Sequence, residues 1–164
     1  MKSKILILLS TVLLSISCKA QMVETINITD YPAYYNQTIN KLNIIIPNKT
    51  NFYGQPFSDF LLAFSQNTIT IKAYYPHPYD NKKIRLMFLN DAENTANIWR
   101  NNYVTPHIEI TFQQPYNFQQ ASSILNQYHW FWNSAAENFY KDLIIEKIEF
   151  WYVRGLTDKS NNPK

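Results

Sequence analysis

A nucleophilic site needs a Ser, Cys or Thr beside a His that takes its proton, and a phosphate cradle needs glycines that let backbone approach the anion. This chain offers little of either. Its one Cys is Cys18, its two glycines are Gly54 and Gly155, and it has no Gly-x-Ser-x-Gly turn. The three His are His77 between two prolines in a loop, His107 at a strand start and His129 in a predicted helix; none has a second ligand at metal-binding spacing on its own element. Two acids merit weighing as a carboxylate pair, the pattern of a glycoside hydrolase: Glu109 on the polar side of a predicted strand and Asp59 in the first turn of a predicted helix. An acid near a helix N-terminus is already accounted for by the macrodipole, and a solitary strand acid is ordinarily solvated. The residues therefore predict no catalytic set, no metal and no cofactor, and point away from an enzyme.

The aromatic residues carry more information. In Tyr128-His129-Trp130-Phe131-Trp132 a helix can bury only about half of the consecutive rings, which leaves Trp130 and Phe131 as candidates for exposure. Tyr74, Tyr75 and Tyr79 crowd a predicted hairpin, and Trp151 alternates with Phe150 and so faces the other way. Exposed Trp and Tyr serve protein-partner hot spots and sugar-stacking platforms. The candidate binding surface is accordingly Trp130, Phe131, Tyr79 and Trp151. The expected activity is non-enzymatic binding of a protein partner of the cell envelope; the alternative is a small glycan-binding or glycan-processing domain.

The envelope enters through the N-terminus. Lys2 and Lys4 precede an almost wholly apolar run, Ile5 to Leu14, which is followed by Ser15-Ile16-Ser17-Cys18. That is the shape of a secretory signal peptide, and the apolar run is too short to span a membrane. The stretch from Leu14 to Cys18 resembles the lipobox of bacterial lipoproteins, although Ser15 stands where an aliphatic residue is commonest. The resemblance implies a diacylated Cys18 as the new N-terminus, and Lys19 after it favours the outer membrane over inner-membrane retention. Two or more acyl chains at about 0.8 kcal/mol per buried methylene would hold the protein firmly. The alternative is cleavage after Ala20, which releases a periplasmic or secreted chain. A lone Cys cannot form an intramolecular disulfide, which fits a lipid-bearing role.

Past the signal (1–17), a Thr-, Asn- and Tyr-rich stretch to residue 40 reads as a tether, 41–157 as one globular domain, and 158–164 as a polar tail. Leu42 to Ile46 reads as a strand. Phe57, Phe60, Leu61 and Phe64 make one helical stripe. Thr68 to Tyr75 alternates with Ile69, Ile71, Ala73 and Tyr75 on one side, and Ile84, Leu86 and Phe88 alternate with Lys83, Arg85 and Met87; a loop over 76–82 makes these a hairpin. Asp91 caps a helix with Ala92, Ala96, Trp99 and Tyr103 inward. Ile108, Ile110 and Phe112 form a further strand. Asn117 with Gln120 starts a helix carrying Phe118, Ala121, Leu125, Tyr128 and Trp132 inward, and Ser134 marks a restart near Asn133. Ile148 to Tyr152 forms the last strand. The expected fold is α+β: an antiparallel or mixed sheet of about five strands with helices on one face.

Charge limits the partners. Removing Lys2 and Lys4 takes the 15 basic residues to 13 against 12 acidic, a net of +1, with no basic cluster of the kind that nucleic acid requires. Replacing the one Cys tests the address: Cys18→Ala should lose both the lipid mass seen in intact-protein mass spectrometry and the membrane association of the wild type. A wild-type chain that begins at Gln21 and fractionates as soluble would contradict it.

Overall fold

Tyr31, Tyr35, Ile39, Leu42 and Ile45 recur every three or four residues, and Pro32 stands in the first turn, where its missing N–H is not needed. In the computed structural model, which describes residues 25–89 and 92–164, these five residues form the buried stripe of helix α1, Tyr31–Ile45. This corrects two expectations. Residues 31–40 of the stretch read as tether are helix, and Leu42–Ile46 is not a strand. The run Ile44-Ile45-Ile46 imitates a β-branched strand, yet only Ile45 is buried and Ile44 is 57% exposed, as helical geometry dictates. A 3₁₀ turn, Ile46–Phe52, leads to α2, Phe57–Gln66, which buries Phe57, Phe60 and Phe64.

Four strands follow: β1 Ala73–Pro76, β2 Lys83–Met87, β3 His107–Phe112 and β4 Ile145–Trp151. They form one sheet in chain order, every pairing antiparallel. Helix α3, Ala92–Arg100, is inserted before β3, and α4, Phe118–Gln127, and α5, Ser134–Tyr140, before β4. The α+β class is as expected, with four strands instead of five. Tyr74, Ile84, Leu86, Ile108, Ile110, Ile148 and Phe150 share the inner face and are buried with the stripes of α1 and α2 in one core.

Local preference gives way where pairing wins. Ile69 and Ile71 are buried ahead of β1, but within the strand Tyr74 faces the core opposite Leu86 and Tyr75 faces outward opposite Arg85, so the expected alternation changes phase. Among the side chains of α3 that are described, Asn94 and Ile98 are buried and Trp99 is not; Asp91 and the side chain of Ala92 lie outside the described residues. Asn94, with its amide oriented as its neighbours require, donates to Ile26 O at 2.8 Å and accepts from Ile26 N at 2.7 Å. Asn94 thus ties Ile26 to α3. Helix α4 is capped by Asn117 as expected, Gln120 N donating to its Oδ1 at 3.0 Å, but Phe118 is exposed and the helix stops at Gln127. His129 and Trp130 adopt positive φ, Phe131 bridges Ala73, and Trp132 N donates to Lys72 O: pairing with the edge of β1 replaces helical continuation. The chain restarts at Asn133, whose Oδ1 accepts from the N–H groups of Ala135 and Ala136.

Both long edges of the sheet are covered. Residues 130–132 lie along β1; Gly54 and Gln55 pair with Ile145 at one end of β4, and Lys164 exchanges two backbone bonds with Phe150 at the other, so the expected polar tail is partly tied into the sheet. A closed edge removes the template for adding another strand. Among the described residues no helix is long and apolar enough to cross a membrane.

Three tyrosines of α1 tie the helix to one end of the sheet. Tyr31 donates to Val104 O at 2.5 Å, Tyr34 to Phe88 O at 2.6 Å and Tyr35 to Tyr152 O at 2.9 Å, carbonyls just before β3, after β2 and after β4. Burial pushes the Tyr35 phenol up to about 12 and Tyr31 higher still, so both stay protonated donors. Removing residues 1–24 should therefore leave a single cooperative urea transition, whereas removing residues 1–40 should abolish it. Equal cooperativity in both chains would show that α1 is dispensable.

Candidate functional site

With the inner face apolar, strand parity sends the charged side chains of the sheet to the other face. The register aligns Tyr75, Arg85, Glu109 and Glu149 in one row across the four strands, Met87, His107 and Trp151 in a second, and Lys83, Thr111 and Lys147 in a third. The charges are matched within this face. Arg85 donates through Nη2 and Nε to Glu109 Oε1 at 2.6 and 3.1 Å, Lys147 donates to Glu149 Oε1 at 2.8 Å, and Lys83 lies 3.4 Å from Asp80. The face is electrically balanced, with each of these cations set against one carboxylate.

Two clefts flank the Arg85–Glu109 pair, which lines both. One, of about 280 Å³, is walled by Trp99 and Thr95 of α3, by His107 and Trp151, and by Tyr152. The other, of about 330 Å³, is formed by Tyr75 and the hairpin loop with His77 and Tyr79. Rings border the face on both sides. Trp130 stands edge-on to Tyr75 at 5.6 Å beyond β1, and Trp99 edge-on to Tyr152 at 5.7 Å near β4.

His107 is a buried polar side chain of the site, 6% exposed. Its ring lies parallel to the Trp151 indole, 9° apart at 6.1 Å, and is closed off by Tyr152 at 5.5 Å. Nδ1 is 3.4 Å from Thr105 O, and Nε2 is 3.9 Å from Glu109 Oε1. Burial, followed by the nearby Arg85 guanidinium, pushes the imidazole down to about 3, so it is neutral throughout the physiological range. The indole Nε1 of Trp151 is buried and has no hydrogen-bond partner among the described residues.

Of the four candidate rings, three lie around this face. Tyr79 is 94% exposed beside the hairpin cleft, Trp130 is 44% exposed at the β1 border, and Trp151 forms a wall of the α3 cleft. The fourth, Phe131, is partly exposed like Trp151 and bridges Ala73 at the β1 edge, next to Trp130. Cys18 lies outside the described residues. Asp59 and Glu109 are not a pair, because α2 packs on the inner face through Phe57 against Phe112 while Glu109 faces the other way. The three His are dispersed as well, on the hairpin loop, on β3 and after α4, and no cluster of three possible metal ligands occurs among the described residues. The residues of the site that sequence reasoning misses are Arg85, His107, Trp99 and Tyr152; outward parity marks Arg85, but only the pairing register joins it to Glu109.

A larger cleft of about 670 Å³ lies between α2 and α5, lined by Leu61, Leu62 and Phe64 together with Trp132, Glu137 and Lys141. None of the buried, unpartnered polar atoms found among the described residues lines it, and it reads as a trough between helices. Comparison with family models, with curated proteins and with solved structures returns no match. The class is therefore defined by geometry alone: a small α+β domain with one apolar sheet face, one charge-matched and ring-bordered face, and closed edges.

The buried neutral His107 makes stability pH-dependent. Above pH ~6.5 folded and unfolded forms both carry it neutral; as pH falls from there towards about 3 only the unfolded chain takes up the proton, so stability drops. At pH 4.5 the cost should be on the order of 2–3 kcal/mol relative to pH 7 in urea titrations, and His107→Gln should lose that part of the slope. An unchanged slope in the variant would show that His107 is not the group responsible.

Proposed function

We propose that this chain is a non-enzymatic binding domain of an exported, lipid-anchored envelope protein, and that the outer face of its sheet is the binding surface. The observation that carries this reading is the face itself: concave on either side of the Arg85–Glu109 pair, bordered by Tyr79, Trp130, Trp99 and Trp151, and left as the broad uncovered side of a sheet whose edges are closed. Rigid rings and Arg around a desolvated polar centre are the residue types that dominate binding interfaces. A protein partner would meet the whole face, anchored at Arg85, Trp130 and Tyr79.

The anchor adds a constraint. Seven residues separate Cys18 from Ile26, which is hydrogen-bonded to Asn94 of α3, and such a segment reaches at most about 28 Å. A lipid on Cys18 would keep the domain, and any partner, close to the outer membrane.

Photoreactive residues placed singly at Tyr79 and Trp130 should crosslink to envelope material in living cells, while the same probe at Ile44 or Leu62, exposed on the helices, should not. Crosslinks confined to the helical positions would place the binding surface elsewhere.

A further inference from the structure

We propose that the end of the domain formed by the last turn of α3 and the loop after β4 rests on a phospholipid bilayer, with Trp99 at headgroup depth and Arg100, Arg154 and Lys159 set against lipid phosphates. The proposal rests on the reading of Cys18 as the lipid anchor and names the side of the domain that this anchor turns to the membrane.

Topology gives the molecule two ends. The hairpin loop between β1 and β2, which carries Tyr79, lies at one end of the sheet, and α3, which joins the end of β2 to the start of β3, lies at the other. The chain after β4 returns to that second end, where Val104 N donates to Leu156 O at 2.9 Å. Ile26 is held there as well, both of its backbone groups bonded to Asn94 of α3.

Reach then limits orientation. The seven residues between Cys18 and Ile26 span at most about 28 Å. A domain of about 140 residues, treated as a uniform sphere with the radius of gyration usual for that length, is roughly 37 Å across. With the hairpin end on the bilayer, Ile26 would stand farther from Cys18 than the chain extends. The α3 end therefore lies on the bilayer or beside it, and Tyr79 points away.

The side chains select contact over mere proximity. Trp99, in the last turn of α3, is 38% exposed, and an indole with an apolar body and a polar N–H is the side chain that settles at a membrane–water interface. Lys159 Nζ lies 5.3 Å over its ring and donates to Asn102 Oδ1 at 2.7 Å. Arg100 is exposed beside it, and exposed Arg154 donates through Nε to Asn162 O at 2.9 Å.

Charge distinguishes this end from the outer face of the sheet. Lys83, Arg85 and Lys147 are each set against a carboxylate, whereas among the described residues Arg100, Arg154 and Lys159 form no ion pair. Asp158, the acid of the loop, accepts from Ser160 N at 2.9 Å, and Glu93, the acid of α3, stands in its first turn, about 9 Å from Trp99 along the axis. Three cations without carboxylates around an exposed Trp match the phosphates and acyl boundary of a lipid surface.

The test uses the full-length lipidated protein in vesicles of phosphatidylethanolamine and phosphatidylglycerol, part of the phosphatidylethanolamine being brominated on its acyl chains near the headgroup so that it quenches Trp on contact. The wild type should be quenched; Trp99→Phe should lose most of the quenching and Trp130→Phe should keep it. Arg100→Gln and Lys159→Gln together should lower it, since each cation at an anionic surface favours docking about fivefold. Independently of those variants, a photoreactive residue at Asn101 should crosslink to phospholipid and one at Tyr79 should not. Lipidated protein that is not quenched, quenching undiminished by Trp99→Phe, or phospholipid crosslinks at Tyr79 and none at Asn101 would overturn the orientation and leave the anchor intact. Absence of lipid mass on Cys18 would overturn the two together.

Discussion

Helix α1 governs the rest of the molecule through three phenol hydroxyls. Tyr31, Tyr34 and Tyr35 lie on one side of the helix at i, i+3 and i+4, and each donates to a backbone carbonyl at the same end of the sheet. Those carbonyls belong to chain leaving β2, entering β3 and leaving β4, which would otherwise be frayed strand ends. The clamp at Tyr152 matters most for the site. Tyr152 sits at φ +55, a backbone state a Tyr adopts only when its surroundings enforce it, and there its ring meets both Trp99 and His107. One helix thus stabilises the core with its buried stripe and sets the wall of the α3 cleft with its hydroxyls.

The outer face follows from the inner one. Because the inner positions of β2, β3 and β4 are all Ile, Leu or Phe, a one-residue slip of register would bury Arg85, Glu109 and Glu149 and expose the core, so the alignment of the charged row is enforced by hydrophobic burial. Covering the two edges with residues 130–132 and with Gly54, Gln55 and Lys164 then removes edge pairing as a way of meeting a partner. What is left for recognition is the side-chain surface of the outer face. Its ion pairs are partly exposed and add little stability, of order 0–1 kcal/mol each, so their consequence is the neutrality of the surface.

Much of the sheet is legible in the sequence because alternation over Lys83–Phe88, His107–Phe112 and Ile145–Trp151 is a local signal that tertiary contacts reinforce. Helix α1 is not. Its buried positions include tyrosines among Asn, Gln and Thr, a composition that reads as tether, and the carbonyls that accept from its tyrosines are 54 to 117 residues away. The candidate surface is legible to the same depth. Trp151 follows from parity alone, and Tyr79 from its Pro-rich loop. The place of Phe131 beside Ala73 depends on a bridge that local reasoning does not supply, and Arg85 escapes it because its role exists only in register with Glu109. His107, by sequence a strand-start residue, becomes the centre of a cleft through rings that α3 and the end of β4 bring to it.

Recognition on the outer face of the sheet is tested most directly by hydroxyl-radical footprinting of the protein in intact envelopes and after purification, read by mass spectrometry, which works whatever the ligand is. Tyr79, Trp130 and Trp99 should be protected in the envelope and oxidised when purified, with Leu62 of α2 and Phe118 of α4 oxidised alike in both. Protection of Leu62 and Phe118 with Tyr79, Trp130 and Trp99 oxidised alike in both would contradict it.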